Sequence, residues 1–200
     1  MTATWPTPVT LSGKRVTLEP LRHDHHDGLV ESARDGELWN LWYTSVPTPD
    51  GMRADIDRRL ALQAAGSMLP FAIIANASGR IVGATSYMNI ESESRRLEIG
   101  STWYAASAQR SGINTQAKRL LLAHAFEELD CIAVEFRTHF FNRASRAAIE
   151  RLGARLDGIL RNHRRSADGS LRDTCVYSII ASEWPTVRIH LDHQLHKPRG

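Results

Sequence analysis

The sequence predicts a single α/β domain built on a mixed, mainly antiparallel central sheet flanked by helices, and three observations carry that reading. Strand-like and helix-like periodicities follow one another along the 200 residues in the order strand, two helices, three strands, helix, strand, helix, two strands. One of those helices, over residues 112–129, is apolar nearly all round, which marks it as buried. The chain is 42% hydrophobic, without internal repeat or low-complexity segment, enough for a core at single-domain length.

Each element has its own warrant. Residues 1–12 read as a loose N-terminal arm, and 15–18 as a first strand. Leu29, Ala33, Leu38 and Leu41 fall at helical spacings over 23–41, interrupted by Gly28 and Gly36. A loop with Pro47 and Pro49 precedes a second helix over 50–65, carrying Ile56, Leu60 and Ala64 on one side. Residues 71–75 form a short apolar strand, 76–79 a turn and 81–90 a long strand, a hairpin arrangement. After the polar turn 91–94 comes a strand over 95–104. Small and polar residues lead from there into the buried helix. Residues 132–140 alternate as a strand, with Ile132, Val134, Phe136, Thr138 and Phe140 on one face. A short helix over 142–152 is closed by Gly153. Two last strands, 156–165 and 171–180, flank the turn 166–169. A terminal helix over 182–197 has Pro185 near its start. The expected division is an arm at 1–12, a domain at 13–184 and a C-terminal extension at 185–200.

The net charge of +3 and pI near 9.1 come with acidic residues spread along the chain. Such a balance suits an anionic small ligand as well as nucleic acid, and no aromatic interleaving suggests a nucleic-acid platform. Cys131 and Cys175 lie far apart in apolar contexts, as expected of reduced, buried thiols. No zinc-type spacing exists; His23, His25 and His26 point apart on a helix and read as a solvated helix start, and His190, His193 and His196 could share a face but lack carboxylate or Cys partners for a metal site. No secretory start and no apolar run of about 20 residues is visible. The expectation is a soluble, cytoplasmic protein with no metal, nucleic-acid or membrane partner.

The chemistry concentrates in three places. The turn Gln109, Arg110, Ser111, Gly112, Ile113, Asn114 opens the buried helix, with Thr115 following. A helix start offers unpaired N–H groups and partial positive charge, and glycine permits close approach, so the turn suits phosphate. No Gly-Lys-Ser/Thr sequence follows, so it is not a nucleoside triphosphate loop. Glu98 sits between Leu97 and Ile99 in an apolar strand. It is either held by a salt bridge to Arg137 or Arg96, or kept there as a general base with its pKa raised by desolvation. Asn142 and Ser145 open the short helix, Asn142 as its N-cap.

The run Leu97-Glu98-Ile99-Gly100-Ser101-Thr102-Trp103-Tyr104, the turn at 109–114, and Asn142-Arg143-Ala144-Ser145 together resemble the GNAT acetyltransferase superfamily, most closely its RimJ/RimL-type branch, over about residues 14–184. The resemblance implies a GNAT-like fold whose sheet splays at the coenzyme site. It implies an acetyl-CoA-dependent N-acetyltransferase that releases coenzyme A and acetylates a primary amine, on a protein N-terminus or a small molecule, in a ternary complex. Gln109 and Gly112 match the pyrophosphate turn of the family, and Asn114 departs from its usual small residue. By resemblance Glu98 is the base and contacts the acceptor. Gly100, Ser101, Thr102 and Trp103 line the coenzyme, with amides polarising the thioester carbonyl. Asn142 holds the coenzyme arm, and Ser145 contacts the sulfur and assists the departing thiolate. Trp39, Trp42 and Tyr43 read as core packing or as a wall of the acceptor pocket. Residues 161–165, the most basic stretch, read as a solvated hairpin edge, with an acidic substrate or the coenzyme's adenosine phosphate as alternatives. The tail from Arg188 is a candidate surface for a homodimer. The rival to an enzyme is a non-catalytic acyl-CoA sensor using the same turn.

Overall fold

The computed structural model describes residues 5–166 and 168–197. The first residues of the expected arm, position 167 of the expected turn and the end of the expected extension lie outside the described residues. Among those described, the strands are β1 (Leu11–Ser12), β2 (Val16–Pro20), β3 (Met68–Ala75), β4 (Arg80–Glu91), β5 (Arg96–Tyr104), β6 (Ala133–His139), β7 (Arg155–Arg165) and β8 (Leu171–Ile180). They form one sheet in the order β1-β2-β3-β4-β5-β6-β8-β7. Every neighbouring pair is antiparallel except β5 and β6. The helices are α1 (His26–Arg34), α2 (Met52–Ala64), α3 (Ile113–Ala123), α4 (Arg143–Glu150) and α5 (Trp184–His196). A parallel pair needs a crossover, and α3 supplies it between β5 and β6. None of the helices is long and apolar enough to cross a membrane.

The sheet separates two apolar clusters. The smaller holds Leu29, Ala33, Met52, Ile56, Ala84 and Trp103, under α1 and α2. The larger holds Phe71, Tyr87, Leu97, Ile99, Leu121, Val187 and Leu191, under α3 and α5. Strand side chains alternate between faces, so the membership of Leu97 and Ile99 in the larger cluster sends Glu98 to the α1–α2 face.

The structure departs from the periodicity in three informative places. The helix expected over 23–41 is a 3-10 turn at His23–His25, then α1, then a second 3-10 turn at Leu38–Asn40. It stops at Arg34 because a distant segment pins the chain. The Asp35 carbonyl accepts the Ala106 N–H at 2.9 Å and its carboxylate accepts the Ser107 hydroxyl at 2.5 Å, while Gly36 and Glu37 turn with positive φ. Leu11 and Ser12, expected in a loose arm, add a short strand beside β2. The strand expected at 71–75 starts at Met68 and carries Pro70 within it. A strand residue points its N–H and C=O to the same side, and the Pro70 carbonyl accepts from Leu21 N–H. The missing donor therefore falls where β2 has already ended.

Candidate active site

β5 and β6 pair only through Arg96↔Ala133, Leu97↔Val134 and Glu98↔Glu135. Beyond Glu98 the two strands continue without pairing, and the sheet opens into a wedge. On the other edge of β5 the register jumps from Ser86↔Gly100 to Ala84↔Trp103, a bulge in which Ser101 takes φ 51°. Arg59 of α2 secures that bulge from below. It is 2% exposed, donates Nη1 to Ser86 Oγ at 3.1 Å, lies 3.5 Å from the Ser101 carbonyl, and is neutralised by Asp55 at 2.6 Å. A cavity of about 1030 Å³ fills the wedge.

On the α3 face the cavity is walled by Gln109, Arg110, Gly112, Asn114 and Thr115 on one side and by Asn142 and Ser145 of the α4 start on the other. Gly112 is the N-cap of α3 with φ 91°, Arg110 has φ 60°, and no side chain caps the helix. Of the first-turn N–H groups, that of Ile113 reaches Ser111 Oγ at 3.4 Å, and the helix dipole favours an anion at this end. The Asn114 Oδ1 is buried with no hydrogen-bond partner among the described residues, an acceptor waiting for a donor. Asn142 does cap α4, its Oδ1 accepting the Ser145 N–H at 3.0 Å. Arg151 ties the two helices, donating to Thr115 Oγ1 at 3.4 Å. Deeper on this face, Lys118 is buried with only hydroxyls for company. Its Nζ donates to Thr102 Oγ1 at 2.7 Å and Thr85 Oγ1 at 3.2 Å, and burial pushes its pKa down to about 7.

The opposite face carries Glu98. Its Oε2 accepts from Asn89 Nδ2 at 2.6 Å and lies 3.6 Å from Arg137 Nε. Burial raises its pKa, and Arg137 and Asn89 oppose the rise without cancelling it. Desolvation outweighs them, and Glu135, to which Arg137 also gives Nη2 at 2.9 Å, adds to the rise. The salt bridge that the sequence offered for Glu98 is present, with Arg137 rather than Arg96 as its cation; Arg96 pairs with Glu135. A Cβ on Gly100 would sit 2.6 Å from Glu98 Oε1 and 2.7 Å from Met88 Sδ. Glycine there makes room for the carboxylate itself.

Of the residues singled out in the sequence, Tyr43, Glu98, Gly100, Ser101, Thr102, Trp103, Gln109, Arg110, Gly112, Asn114, Thr115, Asn142 and Ser145 line this one cavity. Four do not. The Ser111 hydroxyl donates to the Ala108 carbonyl at 2.6 Å within the turn, and Ile113 is buried in the larger core cluster. Trp39 packs on the smaller cluster. Trp42, 58% exposed, sits with its ring centroid 5.0 Å from that of His139. Sequence reasoning missed Arg59, Lys118, Asn89 and Arg172. Lys118 left one signal: it falls one turn after Asn114 on a helix otherwise apolar on that side.

Residues 15–155 match the Acetyltransferase (GNAT) domain family. A Bacillus subtilis (strain 168) protein named "Putative ribosomal N-acetyltransferase YdaF" is 35% identical over 106 residues, which is 53% of this chain and 57% of that protein. The chain thus spans just over half of that curated relative's length. The crystal structure of a GCN5-related N-acetyltransferase from Brucella melitensis is similar with a TM-score of 0.85 at 30% identity, over 95% of this chain and 86% of that one. Mycobacterium smegmatis RimJ in complex with CoA-disulfide shares the fold, with a TM-score of 0.80 at 24% identity over 97% of each chain.

Proposed function

The chain belongs to the GNAT acetyltransferase family, and from that premise we propose that it transfers acetyl from acetyl-CoA directly to a primary amine on a protein N-terminus or a small molecule. The observation that supports this best is the wedge itself: an uncapped, glycine-led helix start on one face and a buried carboxylate on the other, joined by one cavity. The relative named as a ribosomal N-acetyltransferase favours a protein amine.

The residues present fit the coenzyme. The first-turn amides of α3 with Gln109 and Arg110 suit a pyrophosphate, and the orphan Asn114 acceptor and Asn142 suit an amide-bearing arm. When bound, acetyl-CoA supplies a thioester carbonyl as electrophile. Glu98, desolvated and only partly neutralised, takes the proton that an ammonium acceptor must lose before it attacks. Because β5 has no partner on the wedge side past Glu98, backbone N–H groups in the Gly100–Thr102 stretch are placed to face developing negative charge on the carbonyl oxygen. The Ser145 hydroxyl has no protein partner among the described residues and is free to donate a proton to a departing thiolate. Neither Cys131 nor Cys175 lines the cavity, and both are buried, in keeping with transfer in a ternary complex.

The test is thiol release with acetyl-CoA across peptides and small amines, in wild type and Glu98→Gln. Amine-dependent release that drops in the variant is expected. Coenzyme binding without release for any amine would favour the sensor reading, and undiminished kcat/KM in Glu98→Gln would remove the base from the scheme.

A further inference from the structure

We propose that the acceptor presents a carboxylate close to its reactive amine, and that Arg164 and Arg172 bind it. This rests on the acetyl-transfer reading and assigns the substrate class of the same site.

The register supports the assignment. Residues directly opposite each other in neighbouring strands share a face, so the parallel pairing Glu98↔Glu135 and the antiparallel pairings His139↔Thr174 and Arg164↔Arg172 can be followed across four strands. Glu135 and His139 lie on the same side of β6, as do Thr174 and Arg172 on β8. The pairings therefore carry Glu98, Arg137, His139, Arg172 and Arg164 onto the face away from α3, and all five line the cavity. Arg164 and Arg172 are two like charges placed directly opposite each other, an arrangement that destabilises a hairpin. The other arginines nearby are neutralised: Arg161 by Asp173 at 2.6 Å, Arg137 by Glu135, and Arg96 also by Glu135. Arg164 and Arg172 have no carboxylate within ion-pair distance among the described residues. Arg172 is half-buried and donates Nε to Thr174 Oγ1 at 3.2 Å, which aims the rest of its fork elsewhere. Burial and the surrounding arginines hold His139 and His163 below the ordinary histidine pKa, so at neutral pH they form an uncharged wall.

Among the described residues Glu98 is the only carboxylate that lines this cavity, and it is reserved for the amine proton; Glu135, on the same face, is taken up by Arg137 and Arg96. An acceptor with an amine alone meets a net positive field, whereas one that also carries an anion is steered in and held by a planar guanidinium fork. The coenzyme's phosphates are the rival occupant, but their turn at 109–114 opens α3 on the other face of the sheet. Two sources share the required chemistry: acidic side chains just after a peptide N-terminus, and the α-carboxylate of a free amino acid.

The experiment uses the full chain at saturating acetyl-CoA. Acceptors are three serine-led peptide amides with glutamate, glutamine or lysine at the second and third positions, together with free glutamate. Thiol release is measured, and, separately, peptide binding to the protein saturated with coenzyme A. The glutamate peptide, or free glutamate if the source is an amino acid, is expected to exceed the glutamine peptide at least about tenfold in kcat/KM and in affinity. Arg164→Gln should remove most of that advantage and leave the KM for acetyl-CoA unchanged, and Arg164→Glu should move the preference toward the lysine peptide. Arg164 is exposed, so these variants stay informative even where Arg172→Gln fails to fold. Equal binding and turnover of all three peptides, with free glutamate no better than the glutamine peptide, overturns the proposal, as does an Arg164→Gln defect confined to coenzyme affinity. Arg164-dependent binding of the acidic acceptor without any thiol release keeps the anion site and overturns the acetyl-transfer reading instead.

Discussion

The two faces of the wedge are made of different material. On the α3 face, the features that suit the coenzyme are mostly backbone: a helix start with positive φ at Arg110 and Gly112 and no capping side chain. On the other face, the features that suit an acceptor are side chains from β5, β6, β7 and β8, brought together by strand register and tuned by one another's charge. A backbone site depends on local conformation and tolerates changes of neighbouring side chains. A side-chain site depends on burial and pairing, and a single charge alters it. The difference predicts that the two faces fail differently.

The largest effect belongs to the acceptor face. Glu98→Gln should lower kcat/KM by about 10²–10⁴ while coenzyme affinity, measured by direct titration, stays within a factor of about two. The pH profile sharpens this. The base must be ionised, and burial raises its pKa. Wild-type kcat/KM should therefore fall as pH is lowered through a value above the ordinary carboxylate range, and Glu98→Gln should lose that limb. A loss of coenzyme affinity as large as the loss in rate would show that the faces are not separable.

Gly112→Val probes the backbone face. A β-branched residue at φ 91° is strained by about 1–3 kcal/mol. Coenzyme affinity should fall about tenfold or more, with the acceptor KM little changed. An equal rise in both would contradict the division.

Lys118 tests the α3 face for charge. Its folded pKa is about 7 against an ordinary 10.5. Between those values the unfolded chain binds more protons, so stability rises with pH. Stability should therefore increase from pH 7 to pH 9 by about 2 kcal/mol, raising the melting temperature by about 6 °C, more in wild type than in Lys118→Met. A pH response identical in the two proteins would mean that Lys118 stays charged in the folded state. The smallest expected effect is that of Asn142→Ala. Loss of the cap of α4 should cost about 1 kcal/mol, and an unchanged melting temperature would show that the α4 start is held by its packing.

Legibility follows the same division. The turn at 109–114, Glu98 in its apolar strand and the cap at Asn142 were visible because each is a local anomaly: a glycine before a buried helix, a charge between Leu97 and Ile99, an Asn and a Ser opening a helix. Arg59 was not, because beside Arg58 and off the side that carries Ile56, Leu60 and Ala64 it reads as solvated. Only the packing of α2 under the bulge buries it against Ser86. Arg172 looks like any cation near a hairpin turn until β8 is seen to pair with β6 and carry it over the wedge. Within residues 161–165 the expectation of a solvated edge holds for Arg161 and Arg165, which bind Asp173 and the Gly169 carbonyl. Arg164 is exposed too, and with the half-buried His163 it also lines the cavity.

By itself the sequence determined the order of strands and helices, the buried α3, the anion-suited turn and the carboxylate at the fork. Periodicity and backbone chemistry act over a few residues, and these features need nothing more. The tertiary structure decided where the helix after His26 stops, how far β5 and β6 pair, and which arginines share a cavity with Glu98. Those outcomes depend on contacts between segments distant in the chain, Asp35 with Ala106 or Glu98 with Arg137, and on a register in which a slip of one residue would turn each side chain to the other face.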